Sequence, residues 1–280
     1  MQDFQRRQEL SAHVARHGRT PSPQLDRLCG QKDAHTSMLF WFTDLAAAID
    51  EARRTNRPIL SLRLLGRLDE ELSCANSRFF RKLLYVSPQI QQLLRDQFVL
   101  HWESVRPVPK VTIDFGGGRR IEKTLTGNSV HLVLDSRGRP VDALPGLFAP
   151  AVFHALLVRA RGYALAEPSQ LSELHRRALS EPVAVAPDSR AMRASRIAAT
   201  KHVVELPVLR AVAPLPADGD SLEADTRQNL ALHARVHEAF AMGARWSSIE
   251  MLVARIYSDL FLMPVDDPAL GLDVEDPFAA

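Results

Sequence analysis

A thiol and a hydroxyl three residues apart, Cys74 and Ser77, carry the most direct chemical meaning in this chain. They stand in Ser73-Cys74-Ala75-Asn76-Ser77, between an apolar run and a helical pattern, so a helix is expected to begin at the thiol. A helix N-terminus presents unpaired N–H groups and about half a positive charge, which favours thiolate over thiol. Thiolate is the form that attacks disulfides. A serine hydroxyl cannot expel a bound sulfur by thiol exchange, so the pair supports one-thiol chemistry completed by an outside thiol such as glutathione. The competing reading is that Cys74 only packs, because cysteine behaves as a small apolar residue. Arg78 favours the thiolate and Asp69, Glu70 and Glu71 oppose it; the sequence leaves that balance open.

Other chemistry-bearing residues give weaker patterns. His233 and His237 are four apart on an expected helix, with His202 and Glu238 as the nearest companions. A structural zinc normally closes with four ligands, and there is no His-Glu-x-x-His and no cysteine pair. The expectation is therefore no metal, no resident cofactor and no stoichiometric zinc. Cys29 reads as an unreactive thiol, or as a thiol that folds over to resolve Cys74. Ser77, His101 and Asp114 have no triad signature around them. Gly116, Gly117 and Gly118 lack the following helix and Gly-Lys-Ser/Thr ending of a phosphate loop, and read as a hairpin turn.

The elements that must position these groups follow from periodicity and punctuation. Residues 1–40 are polar and read as a loosely held arm with one short helix at 3–16. Thr43 is expected to cap a helix carrying Leu45, Ala48, Ile49 and Ala52, and Pro58 opens the strand Ile59–Leu65. After the Cys74 helix, Ser87-Pro88 starts another. Phe98–Trp102 is a strand ended by Pro107 and Pro109. A hairpin spans 111–125, strands follow at 130–134 and 140–144, and a helix runs from about 150 to 162. Residues 163–262 read as helices at 169–180, 188–204, 221–242 and 247–262. The last carries an apolar stripe from Ile249 to Phe261 that either covers the preceding domain or forms a homodimer. Residues 263–280 form an acidic tail. Trp41, Trp102 and Trp246 are expected in the core.

The order helix, strand, Cys-helix, strand, antiparallel strand pair and closing helix over 41–162, with Cys-x-x-Ser at the first strand-to-helix junction, resembles the thioredoxin fold. The resemblance implies an α/β domain: a thioredoxin-like central mixed sheet flanked by helices, here followed by an all-helical C-terminal extension. It implies that Cys74 is the nucleophile and that Ser77 replaces the resolving cysteine, as in monothiol relatives. It also implies that Ser73, Asn76 and the segment Asn128-Ser129-Val130 meet the substrate. The chain departs from the family in three places. Ser73 replaces the aromatic before the cysteine, Ala75-Asn76 replaces the Gly-Pro spacer, and Asn128-Ser129-Val130 lacks the family's cis-proline, so a trans bond is expected there. Two functions stay open: monothiol exchange on protein or glutathione mixed disulfides, and a non-catalytic binding or scaffolding module whose specific role lies in the helical C-terminal region.

Composition narrows the partners. The 280 residues include 35 basic and 33 acidic side chains, a net charge of +2, which makes no electrostatic case for nucleic acid or an anionic membrane. The lysines are only Lys32, Lys82, Lys110, Lys123 and Lys201, so arginine dominates. At 46% hydrophobic and 24% charged the chain can bury a core. Two cysteines are too few for a disulfide scaffold, and Met1–Arg19 has no apolar stretch of signal type. A protein thiol or disulfide partner in the cytoplasm is the default expectation.

Overall fold

A computed structural model of the chain describes residues 2–124, 126–181, 183, 221–244, 246 and 248–271. Its centre is β1 (Ile59–Leu65), an apolar strand buried on both faces. β2 (Val99–Arg106) runs parallel to β1 with Ile59 opposite Val99 and Arg63 opposite Glu103. β5 (Ser129–Leu134) runs antiparallel on the other side, and β6 (Pro140–Pro145) pairs antiparallel with β5. The sheet order is therefore β2-β1-β5-β6. β3 (Lys110–Asp114) and β4 (Arg120–Thr124) form a separate exposed hairpin across the triple glycine, as expected. Because β1 and β2 are parallel, the chain must cross over the sheet between them. That crossover consists of α5 (Ala75–Phe79), a π-helical turn over Phe80–Leu84, and α6 (Pro88–Gln97).

Helices cover both faces. α4 (Leu45–Thr55) packs on β1 and β2, and its N-cap is Asp44, whose carboxylate accepts from Ala46 N at 2.8 Å. Thr43, the expected cap, instead donates its hydroxyl to Asp3 at 3.1 Å. α7 (Pro150–Leu165) packs against β5 and β6. A 3-10 turn at Pro168–Gln170 leads into α8 (Leu171–Ser180). Beyond the undescribed residues come α9 (Ser221–Ala241), which lies against α8 and β6, α10 (Ile249–Arg255) and a π-helical turn over Ile256–Leu260. The expected helix at 188–204 and the end of the acidic tail fall outside the described residues. Among the described residues no helix is long and apolar enough to cross a membrane.

Two expectations need correction. The N-terminal 40 residues are a packed layer, with α1 (Gln2–His17), α2 (Pro23–Cys29) and α3 (Ala34–Ser37). Polar groups dock them, which is why an apolar periodicity did not announce the contact. The Asp3 carboxylate accepts from Thr43 N at 2.9 Å and Asp44 N at 3.0 Å, and Arg6 donates to Trp41 O at 2.7 Å. Trp102 reaches back to Gly30 O at 2.6 Å. The start of the presumed tail is also packed, since Met263 and Leu270 are buried. The Ile249–Phe261 stripe joins the main core of the same chain through Leu252, Val253, Ile256, Tyr257, Leu260 and Phe261. It therefore covers the domain, the first of its two options, and the homodimer loses the surface argued for it. Trp41 and Trp102 are core, whereas Trp246 is half-buried at its margin.

Candidate functional site

Cys74 sits where the sequence placed it, at the N-cap of α5, with its sulfur accepting from Ser77 N at 3.4 Å. Its neighbours bond to one another at short range. The Ser77 hydroxyl bonds to the Ser73 hydroxyl and to Cys74 O, the latter at 2.9 Å. Asn76 donates from Nδ2 to the Ser129 hydroxyl at 3.0 Å, tying the helix start to β5. The structure thus brings Ser73, Cys74, Asn76, Ser77, Asn128, Ser129 and Val130 into one region. It does not expose them: Cys74, Ser73, Asn76, Ser77 and Ser129 are all 0% accessible.

The segment that leads into β5 closes on the thiol. Gly127 lies so close that a Cβ there would fall 2.2 Å from Cys74 Cβ and 2.9 Å from its Cα. Only glycine fits that approach. The adjoining Asn128 is held in turn: Tyr257 donates its hydroxyl to Asn128 O at 2.9 Å, and Asn128 Nδ2 meets the Met263 sulfur at 3.4 Å. The described peptide bonds, including those of Asn128 and Ser129, are trans. Against Ser73 lies a residue the sequence reading missed. Arg81 is buried and donates to Asp33 at 2.9 Å and to the Ser73 hydroxyl at 3.4 Å. Burial lowers its affinity for the proton, against the raising effect of Asp33, Glu71 and Cys74. On the same helix-sheet contact, Tyr85 and His131 share a hydrogen bond of 2.7 Å. Burial pushes the Tyr85 hydroxyl well up and brings His131 down to about 3, so both are neutral. The three acidic residues expected to disfavour a thiolate are engaged by cations: Arg67 pairs with Asp69 at 2.7 Å and Glu70 at 3.5 Å, and Lys82 with Glu71 at 4.0 Å.

Cys29 is not a resolving partner in this arrangement. It belongs to a small separate cluster with Leu25 and Ala34 and makes no disulfide. Burial, then Asp26, pushes its thiol up to about 12.

A second polar cluster lies at the β6 edge of the sheet. His233 and His237 do share a face, and their rings are 4.1 Å apart. The structure adds Asp142 from β6 and His175 from α8, neither signalled by local spacing. His233 Nε2 meets Asp142 Oδ1 at 2.9 Å, and His175 Nδ1 meets His237 Nδ1 at 2.7 Å. His175 Nε2 faces Val141 O at 2.9 Å, and Arg159 approaches His237 Nε2 at 3.4 Å. Burial works to raise the Asp142 carboxyl, but His233, then His237 and His175, hold it well below the usual carboxylate range. Burial, then His233, lowers His237 to about 3. The earlier expectation counted two ligands and named His202 and Glu238 as companions. Glu238 is exposed and His202 lies outside the described residues; the real neighbours are Asp142 and His175.

No protein-family model matches the chain, and comparison with curated proteins finds no match.

Proposed function

We propose that residues 41–162 form a thioredoxin-like domain that acts as a non-catalytic binding or scaffolding module, with Cys74 as a packed helix cap. The sheet order β2-β1-β5-β6, the parallel β1–β2 crossover through the Cys74 helix and the closing α7 support the thioredoxin-like part. The observation that carries the non-catalytic part is the full burial of Cys74 against Gly127, in a segment whose next residue, Asn128, is held by Tyr257 and Met263. A nucleophile in exchange must meet a sulfur on another molecule in line, and the reach of that attack is filled by this chain's own atoms.

One observation favours monothiol exchange as a second reading. The Cys74 sulfur accepts the Ser77 N–H, and the Arg81 guanidinium lies on the same side of the helix start. Exchange on a protein or glutathione mixed disulfide would then require the 126–129 segment, with its contacts to Tyr257 and Met263, to lift first.

Alkylation separates the two. In a Cys29→Ser background, iodoacetamide should modify Cys74 about 100-fold or more slowly in the native chain than in denaturant, the ratio set by an opening of about 2.7 kcal/mol. Native modification close to the denatured rate overturns the scaffolding reading and favours exchange. Ser77→Cys supplies a second arm, because it restores the family's two-residue spacing. If the site opens readily, that variant gains a reversible disulfide with Cys74 and reduces insulin disulfides. If it stays closed, it gains neither.

A further inference from the structure

Three buried side chains from three elements converge between β6 and the C-terminal helices. Asp142 of β6, His175 of α8 and His237 of α9 each aim one donor atom into a common space, the three donors lying within 4.8 Å of one another. We propose that these residues form a site for one first-row divalent cation, zinc foremost, held by Asp142 Oδ2 and by Nδ1 of His175 and His237, which fastens α8 and α9 to the edge of the sheet.

The carboxylate gives the first argument. Asp142 is 1% exposed, and its Oδ2 is buried with no hydrogen-bond partner among the described residues. Its Oδ1 is already held by His233 Nε2 at 2.9 Å and by Ala143 N at 2.8 Å. An ionised carboxylate leaving one oxygen bare in an apolar interior is costly unless a charge meets it. Asp142 offers a carboxylate oxygen within 4.8 Å of imidazole nitrogens of His175 and His237, and a cation is the group that completes the bare oxygen. His233 then becomes an outer partner that orients the ligating carboxylate, the arrangement usual around protein-bound metals.

The imidazoles give the second. Val141 O can only accept, so His175 carries its proton on Nε2 and turns a lone pair outward at Nδ1. That lone pair meets His237 Nδ1 at 2.7 Å, so one proton sits between two nitrogens. A cation replaces that proton: His237 shifts it to Nε2, and the 3.4 Å contact with Arg159 opens. Zinc–nitrogen bonds of about 2.0–2.1 Å in a tetrahedron place donors roughly 3.3 Å apart, so the rings need only separate slightly. Two imidazoles and one carboxylate, without thiolate, suit zinc, cobalt or ferrous iron rather than a soft monovalent ion. Tyr163 and Phe240, at 4.8 and 4.6 Å from the His175 ring, also line an adjoining cleft of about 340 Å³. That is the side from which the ion and a water in the fourth position would arrive.

The test uses the full chain without an affinity tag, stripped with chelator, and zinc or cobalt chloride as the probe. One equivalent of zinc should remain after gel filtration, and cobalt should give the visible absorption of a four- or five-coordinate centre. Zinc should raise the melting temperature. His175→Ala, His237→Ala and Asp142→Asn should lose all three effects, and His233→Ala should weaken binding about 10–100-fold. His154→Ala, on the half-exposed part of α7, should bind as the parent does. Absence of zinc and cobalt binding by the parent chain overturns the proposal, as does binding that survives the three ligand substitutions. Should those variants fail to fold, nitrogen NMR of the parent chain decides. Zinc must shift Nδ1 of His175 and His237 to metal-bound values, and unchanged Nδ1 signals refute the site.

Discussion

The Cys74 region and the Asp142 cluster are both polar islands inside the core, but different forces hold them. Around Cys74 most of the groups are neutral hydroxyls, an amide and a thiol, and most bonds run within one stretch, 73–77, with one stitch to Ser129 and one charged neighbour, Arg81, that reaches Ser73 from its pair with Asp33. Around Asp142 an anion from β6 lies with three imidazoles drawn from α8 and α9. Neutral short-range networks contribute modestly per bond. A buried charge removed from its partners leaves a much larger penalty. The dispensable-looking C-terminal helices therefore carry a more energetic polar contact than the motif that draws the eye.

The sharpest way to break this comparison is truncation of one member of each island. Asp142→Ala leaves His233 without its acceptor and should destabilise the chain by about 3–5 kcal/mol. Cys74→Ala removes a small buried group and one weak cap contact and should cost about 1 kcal/mol. Thermal melts in chelator measure both. A Cys74→Ala cost equal to or above that of Asp142→Ala reverses the ranking.

Next in size is the close approach at Gly127. A methyl group there has no room against Cys74 Cβ and Cα, so Gly127→Ala should cost about 1–3 kcal/mol. Cys74→Gly deletes the atom it strikes first, so the double variant should recover part of that loss. Strict additivity in the double-mutant cycle would mean that the clash is relieved elsewhere.

Acid should act on both islands. Burial lowers His131, near Cys74, and His237, in the cluster, to about 3, and burial with Arg63 does the same to His101. An unfolded histidine takes its proton near pH 6.5. Between that pH and about 3 the unfolded chain binds more protons, so stability falls as pH falls, by about 1.4 kcal/mol per pH unit for each such histidine. His131→Phe should reduce the measured slope by about one proton over this window, read from denaturant unfolding in chelator. An unchanged slope would show that His131 is not held neutral.

How much of this was legible follows the same division. β1, the Cys74 cap, α6, the hairpin and β5–β6 were readable because each depends on adjacent residues: apolar runs, Ser-Pro at a helix start, glycines at a turn. The docked N-terminus was not, because Asp3 and Arg6 reach backbone groups of Trp41, Thr43 and Asp44 by long-range polar bonds that leave no periodic trace. Arg81 was hidden in the same way, a charged residue whose burial against Asp33, 48 positions earlier, leaves no local signal. Gly127 carried no turn signal, since its role is proximity to a residue 53 positions earlier. His175 and Asp142 lie 62 and 95 positions before His237, so only tertiary structure could join them to the two histidines the helical spacing did expose. Spacing sufficed where one element made the site and failed where three did.

The smallest expected effect concerns the β3–β4 hairpin, the region that belongs to neither island. Ile113 and Phe115 are 45% and 58% exposed there, and the Arg119 guanidinium lies 5.4 Å from the Phe115 ring centroid. An exposed cation–π contact is worth about 0.5–1 kcal/mol, and surface substitutions generally change stability by no more than about 0.5 kcal/mol. The hairpin is a two-stranded sheet of its own, apart from the four-stranded one. Phe115→Ser should therefore leave the melting temperature, the acid slope and native protection of Cys74 within error of the parent. A loss above about 1 kcal/mol would exceed what a single exposed ring can supply at the surface. It would mean that Phe115 is covered in solution, and the contrast between buried islands and exposed hairpin would have to be redrawn with the hairpin on the inside.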